Sequence, residues 1–195
     1  MPNGESDYQV EAAEWSEREI RDYRAAGLIP VKWNEEKTRI ELLLPLEYRT
    51  GEGTRWHVFG GLRAPREQLP LHTAVREFWE ETGEILCEKD ILQLFKETEM
   101  YGMWFAAGVY CLHFVPVRGE LATLLQDIPE RYQMIHTNEM EATAVDWVPS
   151  DILEPCVTEH FHETSSMLEA LKISSTFQQL RALVEQNVKS DANQK

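Results

Sequence analysis

Three observations predict an α/β fold in which a mixed β-sheet lies between helices as an α/β/α sandwich. Runs rich in branched and aromatic residues flank the segment from Gly60 to Gly83, that segment reads as a glycine turn leading into an acidic amphipathic helix, and helical spacing of apolar residues returns after Val148. Helices that bury one stripe and strands that bury their faces satisfy one another as stacked layers. With 195 residues and 43% apolar content, the chain is long enough to bury a full core.

Taken in order, Ser16-x-x-Glu19 is a capping-box signal for a short helix ending near Ala26, with Gly27 as its C′ residue. Leu28 to Trp33, Ile40 to Tyr48 and Trp56 to Phe59 read as strands, separated by Lys/Asn/Glu and Gly-Glu-Gly turns. Pro45 puts the second of them at a sheet edge or breaks it there. After the acidic helix, Ile91 to Lys96 and Met103 to Val117 read as two further strands, with a turn at Tyr101-Gly102 and a bend at Gly108. Gly119 to Tyr132 is mixed, with a helical turn over Leu121 to Gln126, and Ala142 to Val148 is a last strand.

Ser166-x-x-Glu169 then opens a terminal helix whose Phe177, Leu180, Leu183, Val184 and Val188 recur at helical spacing. That helix is expected to pack on the sheet, with a partner or homodimer interface as the alternative. The division that follows is a helical extension over 1–24, a catalytic domain over 25–155 and a C-terminal helix with a frayed end over 156–195.

The chemistry concentrates in Arg76-Glu77-Phe78-Trp79-Glu80-Glu81-Thr82-Gly83. At about 100° per residue, Ala74, Val75, Phe78 and Trp79 share one side of a helix, and Arg76, Glu77, Glu80 and Glu81 take the opposite arc. Carboxylates three and four residues apart repel by about 0.2–0.5 kcal/mol per pair, so a countercharge is required. A hard divalent cation, Mg²⁺ or Mn²⁺, meets that need with carboxylate oxygens. Arg76 is the other available countercharge, four residues before Glu80 and able to bind Glu67 bidentately. An exposed acidic face is the plainer alternative, but the strand-like Trp56 to Phe59, the Gly60-Gly61 turn and the terminal Gly83 frame the helix as one unit.

This unit resembles the Nudix box, G-x5-E-x7-R-E-U-x-E-E-x-G-U with U a bulky apolar residue. Gly61-x5-Glu67 and Arg76-Glu77-Phe78-x-Glu80-Glu81-x-Gly83 fit. Eight residues rather than seven separate Glu67 from Arg76, the extra one falling in the loop Gln68-Leu69-Pro70-Leu71, and the final U position is Glu84 with Ile85 next. A looser likeness runs from Ala25 to Leu153, with Ala25 to Val31 similar to the opening strand of such domains and Asp146-Trp147-Val148-Pro149, followed by Asp151-Ile152-Leu153, similar to the closing one.

The resemblance implies the same layered fold. It also implies metal-binding carboxylates at Glu77, Glu80 and Glu81, a carbonyl ligand at Gly60, Arg76 orienting the acids, and Glu67 pairing with Arg76. The implied reaction is Mg²⁺- or Mn²⁺-dependent hydrolysis of the phosphoanhydride in a nucleoside diphosphate derivative or another small organic diphosphate. A general base is drawn from the loop Asn138-Glu139-Met140-Glu141, with Glu139 the first choice, Glu141 its neighbour, and Glu97 and Glu99 as competitors. Arg49, Arg55, Arg63 and Arg66 flank the glycine turn as candidate phosphate contacts. Tyr101 stands where some relatives acting on diadenosine polyphosphates carry a tyrosine. A non-catalytic ligand-binding protein on the same fold is the alternative, and an isopentenyl-diphosphate type of isomerase is disfavoured by the lack of a cysteine near the glycine turn.

A net charge of −15 argues against long nucleic acid, whose backbone needs an extended basic surface, and leaves room for a small phosphorylated substrate whose charge bound cations offset. No run of about 18 apolar residues marks a membrane span, and the first ten residues lack a signal-peptide pattern, so a cytoplasmic protein is expected. Cys87, Cys111 and Cys156 form no C-x-x-C pair and read as reduced thiols, and His160-x-His162 reads as a surface pair. Trp33, Trp56, Tyr101, Trp104 and Tyr110 read as core residues on strands, with a cleft lining as the alternative.

Overall fold

Apolar residues on both faces of one strand organise the sheet. In β2 (Ala25–Trp33) residues 25–31 are all buried. Ala26 and Leu28 enter one core cluster, while Ile29 and Val31 enter another on the opposite face. A strand covered on both sides reads as a continuous apolar run. The computed structural model describes residues 11–12, 15–34, 36, 38–50, 53–105, 108–137, 140–150, 163–164 and 182.

The other strands are β1 (Glu11–Ala12), β3 (Ile40–Arg49), β4 (Gly53–Trp56), β5 (Phe59–Leu62), β6 (Tyr101–Phe105), β7 (Tyr110–Pro116), β8 (Ala142–Pro149) and β9 (Glu163–Thr164). The helices are α1 (Glu17–Asp22), α2 (Pro70–Glu81), α3 (Glu88–Glu97), α4 (Gly119–Leu125) and α5 (Ile128–Ile135). The sheet is mixed: β2 runs parallel to β7, with Ala25 opposite Tyr110, and antiparallel to β3 and β5. Residues of α2, α3, α4 and α5 pack into one cluster on one face of the sheet.

The sheet forks. β2 pairs with β3 only over Val31–Trp33, and beyond that β5 takes its edge, with Gly27 opposite Gly60. Beyond the same point β3 takes β4 as its neighbour, starting with Leu46 opposite Trp56. Pro45 lies where the partner changes. Its carbonyl accepts from the His57 amide at 2.9 Å, and the N–H it lacks would have pointed to the same side, between the two partners. β3 therefore neither ends nor lies at an edge, because β8 pairs along its other side from Glu41 to Glu47.

Several expectations are corrected. The capping box of α1 forms, with Ser16 and Glu19 bonded reciprocally, but the helix ends at Asp22 and Gly27 sits inside β2. Buried Tyr23 draws the chain into extended backbone at that point. Ile91 to Lys96 is helical, because Ile91 and Phe95, four residues apart, are the pair that enters the core. Tyr101-Gly102 opens β6 rather than forming a turn, and Met103 to Val117 is a hairpin turning at Gly108-Val109. α5 extends well past the expected helical turn, carrying Ile128 and Tyr132 into the core. Apart from Ala182, the expected terminal helix with its Ser166/Glu169 signal lies outside the described residues, as do His160, His162, Cys156, Asn138 and Glu139. Cys87 is exposed and Cys111 buried, both as free thiols.

Candidate active site

α2 is fixed at both ends and along one side. Pro70 pre-sets its first turn, and Ala74, Val75 and Phe78 are fully buried, with Phe78 edge-on to Phe59 at 4.8 Å. Trp79, half-buried on the same side, donates its indole N–H to the Leu86 carbonyl at 2.9 Å. At the C-terminus Gly83, with φ +71, donates to Glu80 O, and Glu84 donates to Trp79 O, each at 2.9 Å, a Schellman closure. That positive φ favours glycine, and a β-carbon would also have to displace the far ends of the Met140 and Ile135 side chains.

With its apolar side so committed, the helix turns its acids towards β5, and Arg76 gathers them. Its Nε bonds Glu67 Oε1 at 2.8 Å, Nη1 bonds Glu80 Oε2 at 2.8 Å, and Nη2 meets Glu77 Oε1 at 2.6 Å and the Leu62 carbonyl at 2.8 Å. Burial would lower the guanidinium, but the Glu67 and Glu77 carboxylates hold it above its ordinary value. Glu67 also accepts from the Ala64 amide at 2.7 Å and the Thr73 hydroxyl at 2.6 Å. Burial pushes its carboxyl up, and the bonds from Arg76, Thr73 and Ala64 more than reverse that. The extra residue before Arg76 is thus absorbed ahead of Pro70, and Glu67 stays in reach.

Gly60 and Gly61, expected to form a turn after a strand over Trp56 to Phe59, instead lie inside β5, with His57 and Val58 linking it to β4, and these two glycines carry the other acids. Glu77 lies against Gly61, where a β-carbon would fall 2.6 Å from either carboxylate oxygen. Glu81 Oε2 accepts from the Gly60 amide at 3.1 Å. Burial raises the Glu77 carboxyl, opposed by Arg76. Burial, then the charges of Glu47 and Glu77, raise Glu81 well above the ordinary value, with the Gly60 amide opposing. A cavity of about 430 Å³ opens beside this group, lined by Glu77, Glu80, Glu81, Gly83, Glu84, Met140 and Glu141.

The candidate substrate contacts are placed elsewhere. Arg63 bonds the carbonyls of Glu67, Arg21 and Tyr23 and lies over the Tyr23 ring at 4.3 Å, so it ties the loop between β5 and α2 to the end of α1. Arg55 stands opposite Glu47 in the β3–β4 pair, Arg66 is exposed in a turn, and Tyr101 is buried in β6. None of the four lines the cavity. Of the loop acids, Glu141 lines it, and Glu139 lies outside the described residues. The sequence reading missed Glu47, 5% exposed with its Oε2 3.9 Å from His57 Nδ1. The available signal was an acid within the apolar run Leu42 to Tyr48.

The donor set is carboxylate and backbone oxygen, which suits a hard divalent cation. Among the described residues no three His, Cys, Asp or Glu side chains stand together as a ready cation site. In this arrangement Arg76 binds both Glu77 and Glu80. Among the described residues no helix is long and apolar enough to cross a membrane.

The family described as NUDIX domain matches residues 22–167. A Nudix hydrolase structure from M. smegmatis, RenU, is 17% identical, with 73% of this chain and 79% of that one covered at a TM-score of 0.38. An Ap4A hydrolase from C. elegans, in a binary complex, is 20% identical over 64% of this chain and 79% of that one, at 0.35. A NUDIX hydrolase from Nitrosomonas europaea is 12% identical over 76% and 85%, at 0.37. No curated protein matches the chain.

Proposed function

The chain belongs to the Nudix family and is a diphosphohydrolase of that type, and we propose that it hydrolyses a small organic diphosphate, such as a nucleoside diphosphate derivative, with Mg²⁺ or Mn²⁺. The observation that carries this is the set of box acids on α2, all turned to one cavity beside Gly60 and Gly61. In this reading Glu77, Glu80, Glu81 and the Gly60 carbonyl hold the cation. The Gly60 N–H points to Glu81 rather than to β2, and a strand residue directs its C=O to the same edge as its N–H, so that carbonyl faces the acids.

A bound divalent cation would polarise the phosphoanhydride and stabilise the leaving oxygen. The residues do the remainder. Arg76 and Glu67 set the helix against β5, and a carboxylate of the loop before β8 takes the proton of the attacking water. Glu139 is the choice made from sequence, and Glu141 is the loop acid that lines the cavity. The proposed organisation is a catalytic unit over 25–155 with an extension on each side. The segment 1–24 supports this by carrying Trp15, whose indole bonds His113 in β7.

The test is phosphate- or pyrophosphate-coupled release across nucleoside diphosphate derivatives, dinucleoside polyphosphates, diphosphoinositols and prenyl diphosphates, with Mg²⁺ or Mn²⁺ and with chelator. Chelator-sensitive turnover of one class is expected, falling by more than about 100-fold in Glu80→Gln and Glu81→Gln while both remain folded. Full turnover in those variants sinks the assignment of the site. A folded wild type that binds members of the panel and turns over none of them favours the ligand-binding alternative.

A further inference from the structure

We propose that the Tyr110 hydroxyl positions Glu81, reaching it from the face of the sheet opposite α2. This rests on the reading of Glu81 as a metal-binding acid. Tyr110 heads β7 and packs with Leu112 and Phe114 in the cluster across the sheet from Phe78. Its hydroxyl sits between Gly27 and Gly60, where a β-carbon on either glycine would collide with it. The two glycines also crowd each other's backbone, a β-carbon on Gly60 falling 2.7 Å from Gly27 Cα, and the space left without side chains is where this oxygen reaches.

The oxygen is wholly buried and makes no hydrogen bond. An unmet buried hydroxyl costs stability that phenylalanine would avoid, so packing alone does not account for it. Gly60, against which the hydroxyl packs, also donates its amide to Glu81 Oε2 at 3.1 Å, so the phenol and this carboxylate meet the same glycine. The Gly27 carbonyl is already engaged by His113 Nδ1 at 3.2 Å. Glu81 takes the Gly60 N–H through Oε2 and keeps lone pairs for a second donor. With the cation bound, Tyr110 donates to Glu81, and the two bonds together fix the plane of the carboxylate, as partners of metal ligands commonly do.

Mn²⁺ titration by calorimetry, without substrate, on the full chain tests this. Tyr110→Phe should weaken Mn²⁺ binding about tenfold while the metal-free protein melts at the same temperature or higher. Adding Tyr110→Phe to Glu81→Gln should weaken binding no further than Glu81→Gln alone. Wild-type affinity within twofold in Tyr110→Phe, alongside a clear loss in Glu81→Gln, refutes the positioning role and leaves the metal site standing. A lower melting temperature with unchanged affinity shows that the hydroxyl serves the fold only. No Mn²⁺ binding by the wild type overturns the metal reading itself, and this proposal with it.

Discussion

Acidification should loosen the core beneath the site through one ring. His113 is 1% exposed and accepts the Trp15 indole N–H on Nε2 at 3.1 Å, so its own proton resides on Nδ1, which donates to the Gly27 carbonyl at 3.2 Å. A second proton would have to enter at Nε2, against the indole. Burial, partly offset by the Gly27 carbonyl, brings this imidazole down from 6.5 to about 4. The unfolded chain therefore takes up a proton at this ring below about pH 6.5 while the folded one does not, and stability falls as pH drops through that window.

The loss attributable to the ring is about 2 kcal/mol at pH 5 and about 3 kcal/mol at pH 4. For a chain of this size the pH 5 loss corresponds to a melting temperature lower by about 4–8 °C. Thermal unfolding of wild type and His113→Gln at pH 7 and pH 5 isolates it, because the carboxylates contribute to both proteins. Glu77 and Glu81, raised, are stabilising at low pH and lose that contribution as pH rises, whereas Glu67, lowered, loses its contribution as pH falls. Equal pH responses of the two proteins, or an NMR titration of His113 near 6.5 in the folded state, would refute the reasoning.

Gly61→Ala places a β-carbon 2.5 Å from the Glu77 carboxyl carbon, the far end of a flexible side chain. Stability should change by less than about 1 kcal/mol while Mn²⁺ affinity and turnover drop about tenfold or more. Unchanged affinity would show that Glu77 tolerates displacement. Arg76→Lys leaves one compact ammonium where a planar fork serves Glu67, Glu77, Glu80 and the Leu62 carbonyl. A loss of about 2–3 kcal/mol in urea unfolding is expected, and a change under about 0.5 kcal/mol would show the hub to be solvent-screened.

What could be read in the chain depended on how many signals agreed. The register of α2 was legible because the apolar stripe of Ala74, Val75 and Phe78, the opposed acids and the terminal glycine all specify one helix phase. α3 was misread because Ile91-Leu92-Gln93-Leu94-Phe95 is short enough to fit either period, and its contact with Phe78 at 5.8 Å is tertiary. The place of Glu67 was legible despite the insertion, since a loop accommodates one more residue at little cost. Glu47 was not, because a carboxylate near a strand end looks solvent-facing until β4 and the loop at His57 cover it. Tyr101 was singled out by its position along the chain, yet its side chain belongs to the core, packed with residues of β2, β3 and β7.

The fork between β2 and β3 bears on how this site tolerates sequence change. Where the two strands diverge, backbone groups that an unbroken ladder would consume are released, and the Gly60 amide is one of them. A hydrogen-bond donor made of main chain is present whatever side chain a mutation installs elsewhere, and it does not titrate with pH. Side-chain changes around the cavity therefore leave this amide in place, as long as positions 27, 60 and 61 stay free of a β-carbon.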